Sequence, residues 1–336
     1  MEDKYKVLLE QGKALQESGY RFITPTPESH KRVLERSAGQ RAATSRDVFG
    51  WNRKFSPKDS QKLGISESVL QELRDQKFIT HPNQQSGDDL LRSDIRYSSA
   101  RPLNDTPDAK DLLFVHSGYP TVQEDSIFFG PDSYRYLNFL RDKVATLREN
   151  FSSVVDIGSG SGVGGLFFKD VSDEILLTDI NDLSFQYQLV NTELNNVPKG
   201  KVFQLKSDIM KQIEQNKQFD LVVSNPPYMV DTSRETVRAY RNGGGDRGIE
   251  LSLRIVRESI PYLRSGGILA LYTGVPIVDG LDVFSEAILK ELYDNKDLES
   301  VHYYEIDPDV FGEELSTEVY GDVDRIAVTG LVLVKK

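Results

Sequence analysis

Asn225-Pro226-Pro227-Tyr228 follows directly on the apolar run Phe219-Asp220-Leu221-Val222-Val223-Ser224. These four residues suit chemistry at a planar nitrogen. Such a nitrogen, in an amide or an aryl amine, is a poor nucleophile because its lone pair is delocalised. Two fixed acceptors, the Asn225 side-chain oxygen and the Pro226 main-chain carbonyl, would hold its NH₂ with the lone pair aimed at an electrophile. Consecutive prolines fix φ and keep both acceptors preorganised. The Tyr228 ring offers a face on which a planar group can stack. No strong base is required, since the proton can leave after the nitrogen has reacted. Asn-Pro also marks ordinary turns, so the weight of this reading rests on what lies upstream.

Upstream, Val154-Val155 runs into Asp156-Ile157-Gly158-Ser159-Gly160-Ser161-Gly162. Alternate glycines let a strand turn sharply and let a ligand touch the backbone. The spacing differs from the dinucleotide Gly-x-Gly-x-x-Gly, which seats a pyrophosphate at a helix N-terminus. S-adenosyl-L-methionine has no pyrophosphate, and its amino acid end can lie against such a loop. Asp179 closes the next apolar run, Ile175-Leu176-Leu177-Thr178, where one carboxylate can accept from both hydroxyls of a ribose. Asp208, in Ser207-Asp208-Ile209 after a third run, is placed to accept from an adenine amino group or to cap a helix. Ser159, Gly160, Gly162, Ile180 and Ile209 complete the expected nucleoside site.

The elements that must position these residues alternate from Phe151 onward. Strands are expected at Val154 to Ile157, Glu174 to Asp179, Lys201 to Lys206, Phe219 to Ser224, Gly267 to Tyr272, Val301 to Ile306 and Arg325 to Val334. A helix from Ile249 to Leu263, ending before Gly266-Gly267, is the clearest of those between them. The last two strands are joined through acidic Pro308 to Asp324 without a helix, which implies an antiparallel hairpin at a sheet edge. The expectation is an α/β fold with a mostly parallel sheet. Residues 1–119 read differently, as helices Tyr5 to Glu17, Pro27 to Ala38 and one capped by Ser66. The runs Leu90 to Tyr97 and Leu112 to Val115 follow them. That pattern suggests a smaller α+β domain of winged-helix-like kind, serving substrate recognition or dimerisation, ahead of a catalytic domain at 120–336.

Composition bounds the function. The 336 residues carry a net charge of −11, which argues against a general electrostatic grip on nucleic acid. Within Tyr20 to Lys62, however, ten Lys/Arg face four Asp/Glu. This is read as a solvated basic face, or as a patch for RNA or another anion. No cysteine is present, and the four histidines lack ligand spacing, so no metal is expected. No apolar run has membrane length, and the start lacks a secretory core, so a cytoplasmic protein without membrane partners is expected. Nothing here sets the oligomeric state.

Taken together, these motifs resemble the S-adenosylmethionine-dependent methyltransferases, and within them the release-factor type of protein-glutamine N5-methyltransferases. The likeness extends over Ser126 to Lys336. It includes Phe128-Phe129-Gly130-Pro131 and Gly243-Gly244-Gly245-Asp246-Arg247-Gly248, the latter similar to the family's Gly-Gly-x-Asp-Gly segment. The resemblance implies a seven-stranded Rossmann-like sheet whose last strand is antiparallel. It implies cofactor contacts from Asp156, Gly158, Gly160, Asp179, Asp208 and Asn225, with Phe129, Pro131, Pro227 and Tyr228 bordering the acceptor. The N-terminal stretch, with Phe49-Gly50-Trp51, is instead similar to that of a bacterial methyltransferase group. The acceptor is then a protein amide or a small molecule. Alternatives are adenine N6 in RNA or DNA, with the base flipped onto Tyr228, and a non-catalytic scaffold that only binds the cofactor.

Overall fold

The computed structural model describes residues 1–82, 89–230, 240–245 and 247–336. The chain forms two units. One is Met1–Val122 with Ser126–Tyr134 and Leu183–Val197; the other is Gln123–Asp125, Arg135–Asp182 and Pro198–Lys336. Among the described residues, no helix is long and apolar enough to cross a membrane.

In the first unit, α1 (Lys6–Glu17), α2 (Pro27–Arg36), α3 (Ser45–Phe49) and α4 (Glu67–Asp75) precede two antiparallel strand pairs. These are β1 (Ile79–Thr80) with β2 (Arg92–Ser93), and β3 (Ile95–Ala100) with β4 (Leu112–Ser117). The helix starts are set locally. Ser66 Oγ accepts the Val69 N–H at 3.2 Å, and Thr26 Oγ1 accepts that of Ser29 at 3.2 Å, with Pro27 at the first helical position.

Later elements are α5 (Pro131–Lys143), β5 (Phe151–Ile157), α6 (Val163–Phe167), β6 (Ser172–Asp179) and α7 (Asp182–Leu194). From Leu183 on, α7 groups with the first unit. Its Tyr187, Val190 and Leu194 join the apolar cluster of Leu8, Leu15, Tyr97, Leu113 and Val115. Two carboxamides one turn apart also pair with β4. Asn191 accepts from Val115 N at 2.7 Å and donates to its carbonyl at 3.1 Å; Asn195 does the same with Leu113, at 2.9 Å each way. Helical side chains thus stand where a neighbouring strand's backbone would.

The second unit is built on a sheet that also takes β7 (Val202–Lys206), β8 (Phe219–Ser224), β9 (Leu263–Val278), the two-residue β10 (Leu281–Asp282), β11 (Leu298–Asp307) and β12 (Arg325–Lys335). The order is β11-β12-β9-β8-β5-β6-β7, with β10 paired to β9. Strands β9, β8, β5, β6 and β7 run parallel, and β12 is antiparallel to both of its neighbours. All six residues of β8 are buried, which is why it reads as a continuous apolar run. Helices α8 (Glu250–Ser259) and α9 (Val283–Asp294) share an apolar cluster with β8 and β9 through Leu253, Val256, Phe284 and Ile288.

One expectation needs correcting. The helix from Ile249 stops at Ser259, not Leu263. Pro261 lacks the N–H to continue it, a 3₁₀ turn fills Ile260–Tyr262, and Leu263 already opens β9.

Candidate functional site

Chain order runs outward from β5 to β6 and β7 on one side and resumes with β8 on the other. A crevice at the carboxyl ends of the strands is the expected outcome of such a reversal. Register makes the arrangement specific. Ile157 of β5 pairs with Ser224 of β8 and Thr178 of β6, so Gly158, Asn225 and Asp179 leave the sheet side by side. Asp179 pairs with Lys206 of β7, and its carbonyl accepts the Ser207 N–H at 3.0 Å, bringing Asp208 to the same edge.

The glycine turn takes left-handed backbone at Gly158, Gly160 and Gly162, with φ of 64°, 50° and 81°. A Cβ built at Gly158 or Gly160 would meet nothing within 4 Å. These two peptides therefore border open space. The turn is tied to β6 from beneath, since Ser159 N and Oγ both donate to the Thr178 carbonyl, at 2.9 and 3.0 Å. Asp179 Oδ2 accepts the Gly160 N–H at 2.8 Å and Oδ1 that of Asn181 at 2.9 Å. Ile180 beside it is 60% exposed, an apolar side chain at the rim.

Asp156 lies inside the turn. It is buried, and Oδ2 accepts the Gly165 N–H at 2.8 Å. A Cβ at Gly164 would fall 2.6 Å from the Tyr136 hydroxyl and 2.9 Å from Asp156 Oδ2, so only glycine fits there. Burial pushes the Asp156 carboxyl up to about 7; the Gly165 N–H works against that, and the nearby Asp179 charge adds to it. The unfolded chain releases this proton near pH 4. Between roughly pH 4 and pH 7 the native protein holds a proton the unfolded chain has lost, so the associated stability is complete at low pH and disappears as pH rises through about 7. Asp156→Asn should remove that slope: from pH 5 to pH 8 the wild-type urea midpoint should fall relative to the variant's. Parallel pH profiles for the two proteins would contradict the assignment.

Asp208 is already engaged. Lys211 bonds its carboxylate, and Arg254 Nη2 from α8 reaches both oxygens at 3.2 and 3.3 Å. The Lys211 ammonium, with Arg254 behind it, holds the carboxyl below its ordinary range. Ile209 is buried with φ of 56°, a left-handed conformation that costs a β-branched residue on the order of 1–3 kcal/mol. Ser207 Oγ donates to its carbonyl at 2.8 Å and helps keep it there.

Asn225 is partly exposed, and among the described residues its carboxamide has no hydrogen-bond partner. Pro226 is buried and Pro227 partly exposed. The Tyr228 ring is buried on the face of Gly274, where a Cβ would come within 2.2 Å of it, and lies 6.2 Å from the Phe311 ring. The chain after Tyr228 is held by a strap. Met229 N donates to the Arg241 carbonyl at 2.9 Å and Gly243 N to the Met229 carbonyl at 2.8 Å. A Cβ at Gly243 would sit 1.9 Å from the Gly248 carbonyl oxygen and one at Gly248 2.3 Å from that of Tyr228, while Gly244 and Gly245 take positive φ; Asp246 lies outside the described residues.

The acidic connection before β12 supplies the clamps. Tyr320 Oη accepts from Val230 N at 2.9 Å, Glu314 pairs with Arg241 at 2.8 Å, and Asp322 holds Arg247 through two 2.7 Å bonds. Phe129 and Pro131 fall in the first unit. There Phe129 is buried between Phe114, His116 and Tyr134, and Pro131 opens α5. Gly274, Tyr136, Arg254 and Tyr320 carry no local sequence signal of their own, because each acts on a partner distant in the chain.

Comparison with known proteins agrees with this geometry. The family model for the methyltransferase small domain matches residues 142–274, a stretch that contains the glycine turn, Asp179, Asp208, Asn225 to Tyr228 and Gly274. The chain is 30% identical over 137 residues to a release factor glutamine methyltransferase of Clostridium botulinum, covering 38% of this chain and 48% of that protein. It is 31% identical to the Clostridium acetobutylicum counterpart over 137 residues, covering 37% and 47%. A ribosomal protein uL3 glutamine methyltransferase of Francisella tularensis is 30% identical over 135 residues, covering 38% and 42%. The chain thus spans about half the length, or slightly less, of these relatives.

Proposed function

We propose that this protein is an S-adenosylmethionine-dependent N-methyltransferase acting on a planar nitrogen, with the side-chain amide of a protein glutamine as acceptor. One observation carries the reading. The Asn225 carboxamide, without a partner among the described residues, leaves β8 in register with the open glycine turn of β5. The residues present fit the donor. Open backbone at Gly158 and Gly160, exposed Ile180 and the carboxylate of Asp179 suit a cationic nucleoside. Bound S-adenosylmethionine supplies a methyl group on a positively charged sulfur.

The chain's own residues do the rest. Asp179 accepts from the ribose while fixing Gly160, and Asp208 with Ile209 borders the adenine. Asn225 Oδ1 and the Pro226 carbonyl accept the two N–H groups of the acceptor and orient its lone pair. Pro226 and Pro227 keep that loop stiff, and the strap on Tyr228 and Met229 prevents it from collapsing. Pro227, partly exposed, borders the acceptor. The names of the relatives support a protein glutamine as acceptor, and on this reading the reaction takes place in the cytoplasm.

Incubation of the whole protein with methyl-labelled donor and a fractionated cell extract tests this directly. Label should appear in a protein fraction and survive nuclease. Label in nucleic acid would favour adenine N6 instead. Saturable donor binding with no transfer to any fraction would leave only the scaffold.

A further inference from the structure

Strands β3 and β4 of the first unit have two unlike faces. Ile95, Tyr97, Leu113 and Val115 point into the apolar cluster. The alternate residues Arg96 and Ser98 lie opposite His116 and Phe114, and all four are buried. A buried arginine in so small a sheet needs an explanation, because a charge removed from water costs several kcal/mol unless it is paired.

Arg96 is 5% exposed, and among the described residues no carboxylate pairs with it. Nη2 lies 3.1 Å from His30 Nδ1 and 3.1 Å from Asn52 Oδ1, while Nε is sealed off without a partner. Nη1 makes no hydrogen bond among the described residues. The neighbouring His30 Nε2 is also buried and unbonded. Burial pushes the Arg96 guanidinium down to about 10, and the phenols of Tyr20, Tyr134 and Tyr119 act against that. Burial and the Arg96 charge push His30 down to about 3, so it stays neutral and adds no competing cation.

Rings surround this cation. The guanidinium stands 5.7 Å from the Phe22 ring, and the His30 ring has Trp51 at 5.3 Å and Tyr119 at 4.2 Å. Trp51, Tyr119 and Tyr134 are partly exposed, so a buried cationic floor is bordered by an accessible aromatic rim. Asn52 is fixed from the other side, its Nδ2 donating to the carbonyls of Ser93 and Ile95 at 3.0 and 2.9 Å. The fork is therefore held rigid.

We propose that this face of the first unit is a binding site for a small ligand carrying an anionic group, carboxylate or phosphate, on a flat ring. The anion pairs with Arg96 and the ring stacks at the rim. The inference is independent of the proposed methyl transfer.

The chain has one tryptophan, Trp51, so its emission reports on this site alone. Whole protein titrated with benzoate or phenyl phosphate should show a saturable change in Trp51 emission, and the tighter of the two identifies the anion. Neutral benzamide should give none. Arg96→Met should weaken the response at least ten-fold with an unchanged circular dichroism spectrum, and Tyr119→Ala should weaken it as well. No saturation with either anion in the wild type would overturn the site, whatever the variants do. Equal affinity in a folded Arg96→Met would reduce Arg96 to a packing residue.

Discussion

Replacing Asn225 by alanine is expected to lower methyl transfer by about 10²-fold or more, the usual effect of losing one preorganised polar contact to the reacting group. Donor affinity should change far less. The asymmetry follows from the proposed arrangement: the proposed donor contacts come at the ends of β5, β6 and β7, whereas Asn225 follows β8. Its carboxamide has no structural partner to lose among the described residues, so the variant should also keep its stability. Label transfer and calorimetric donor binding, measured on the same preparation, separate the two quantities. A variant rate near wild type would mean that another group orients the acceptor.

The second large effect is expected at Asp179, where the damage should fall on donor affinity. Alanine there removes the ribose acceptor together with the anchors of Gly160 and Asn181, which are held at 2.8 and 2.9 Å. Hydrogen bonds to a charged group contribute about 1.5–3 kcal/mol each, so a loss of roughly ten- to a hundred-fold in affinity is expected from the ligand contact alone. Asp179→Asn keeps one acceptor oxygen for Gly160 and should retain part of it. Calorimetric titration with S-adenosylmethionine decides the matter, and an unchanged dissociation constant for the alanine variant would remove Asp179 from the site.

The features legible in the sequence are those whose cause is local. Gly158, Gly160 and Gly162 announce left-handed backbone, and all three adopt it. Apolar runs ending at Ile157, Asp179 and Ser224 mark strands whose ends fall together in one register. What escapes the sequence depends on partners far along the chain. Lys211 beside Asp208 is visible as a neighbour three positions on; Arg254, which reaches the same carboxylate from α8, is not. The acidity before β12 is obvious, yet its purpose requires knowing that Glu314 and Asp322 meet Arg241 and Arg247. Asp156 belongs with these cases: its position at the turn is readable, but not that its carboxylate is sealed inside on the Gly165 N–H. The overlong helix has a simpler origin, because hydrophobic periodicity carried it past Pro261.

The two asparagines of α7 have a bearing on how this gene could be divided. The helix that follows β6 supplies Tyr187, Val190 and Leu194 to the first unit's interior and closes the open edge of β4. A truncation after Val122 would strip that strand of its surrogate neighbour and bare an aliphatic surface, inviting self-association. The two units are therefore interleaved along the chain rather than set end to end.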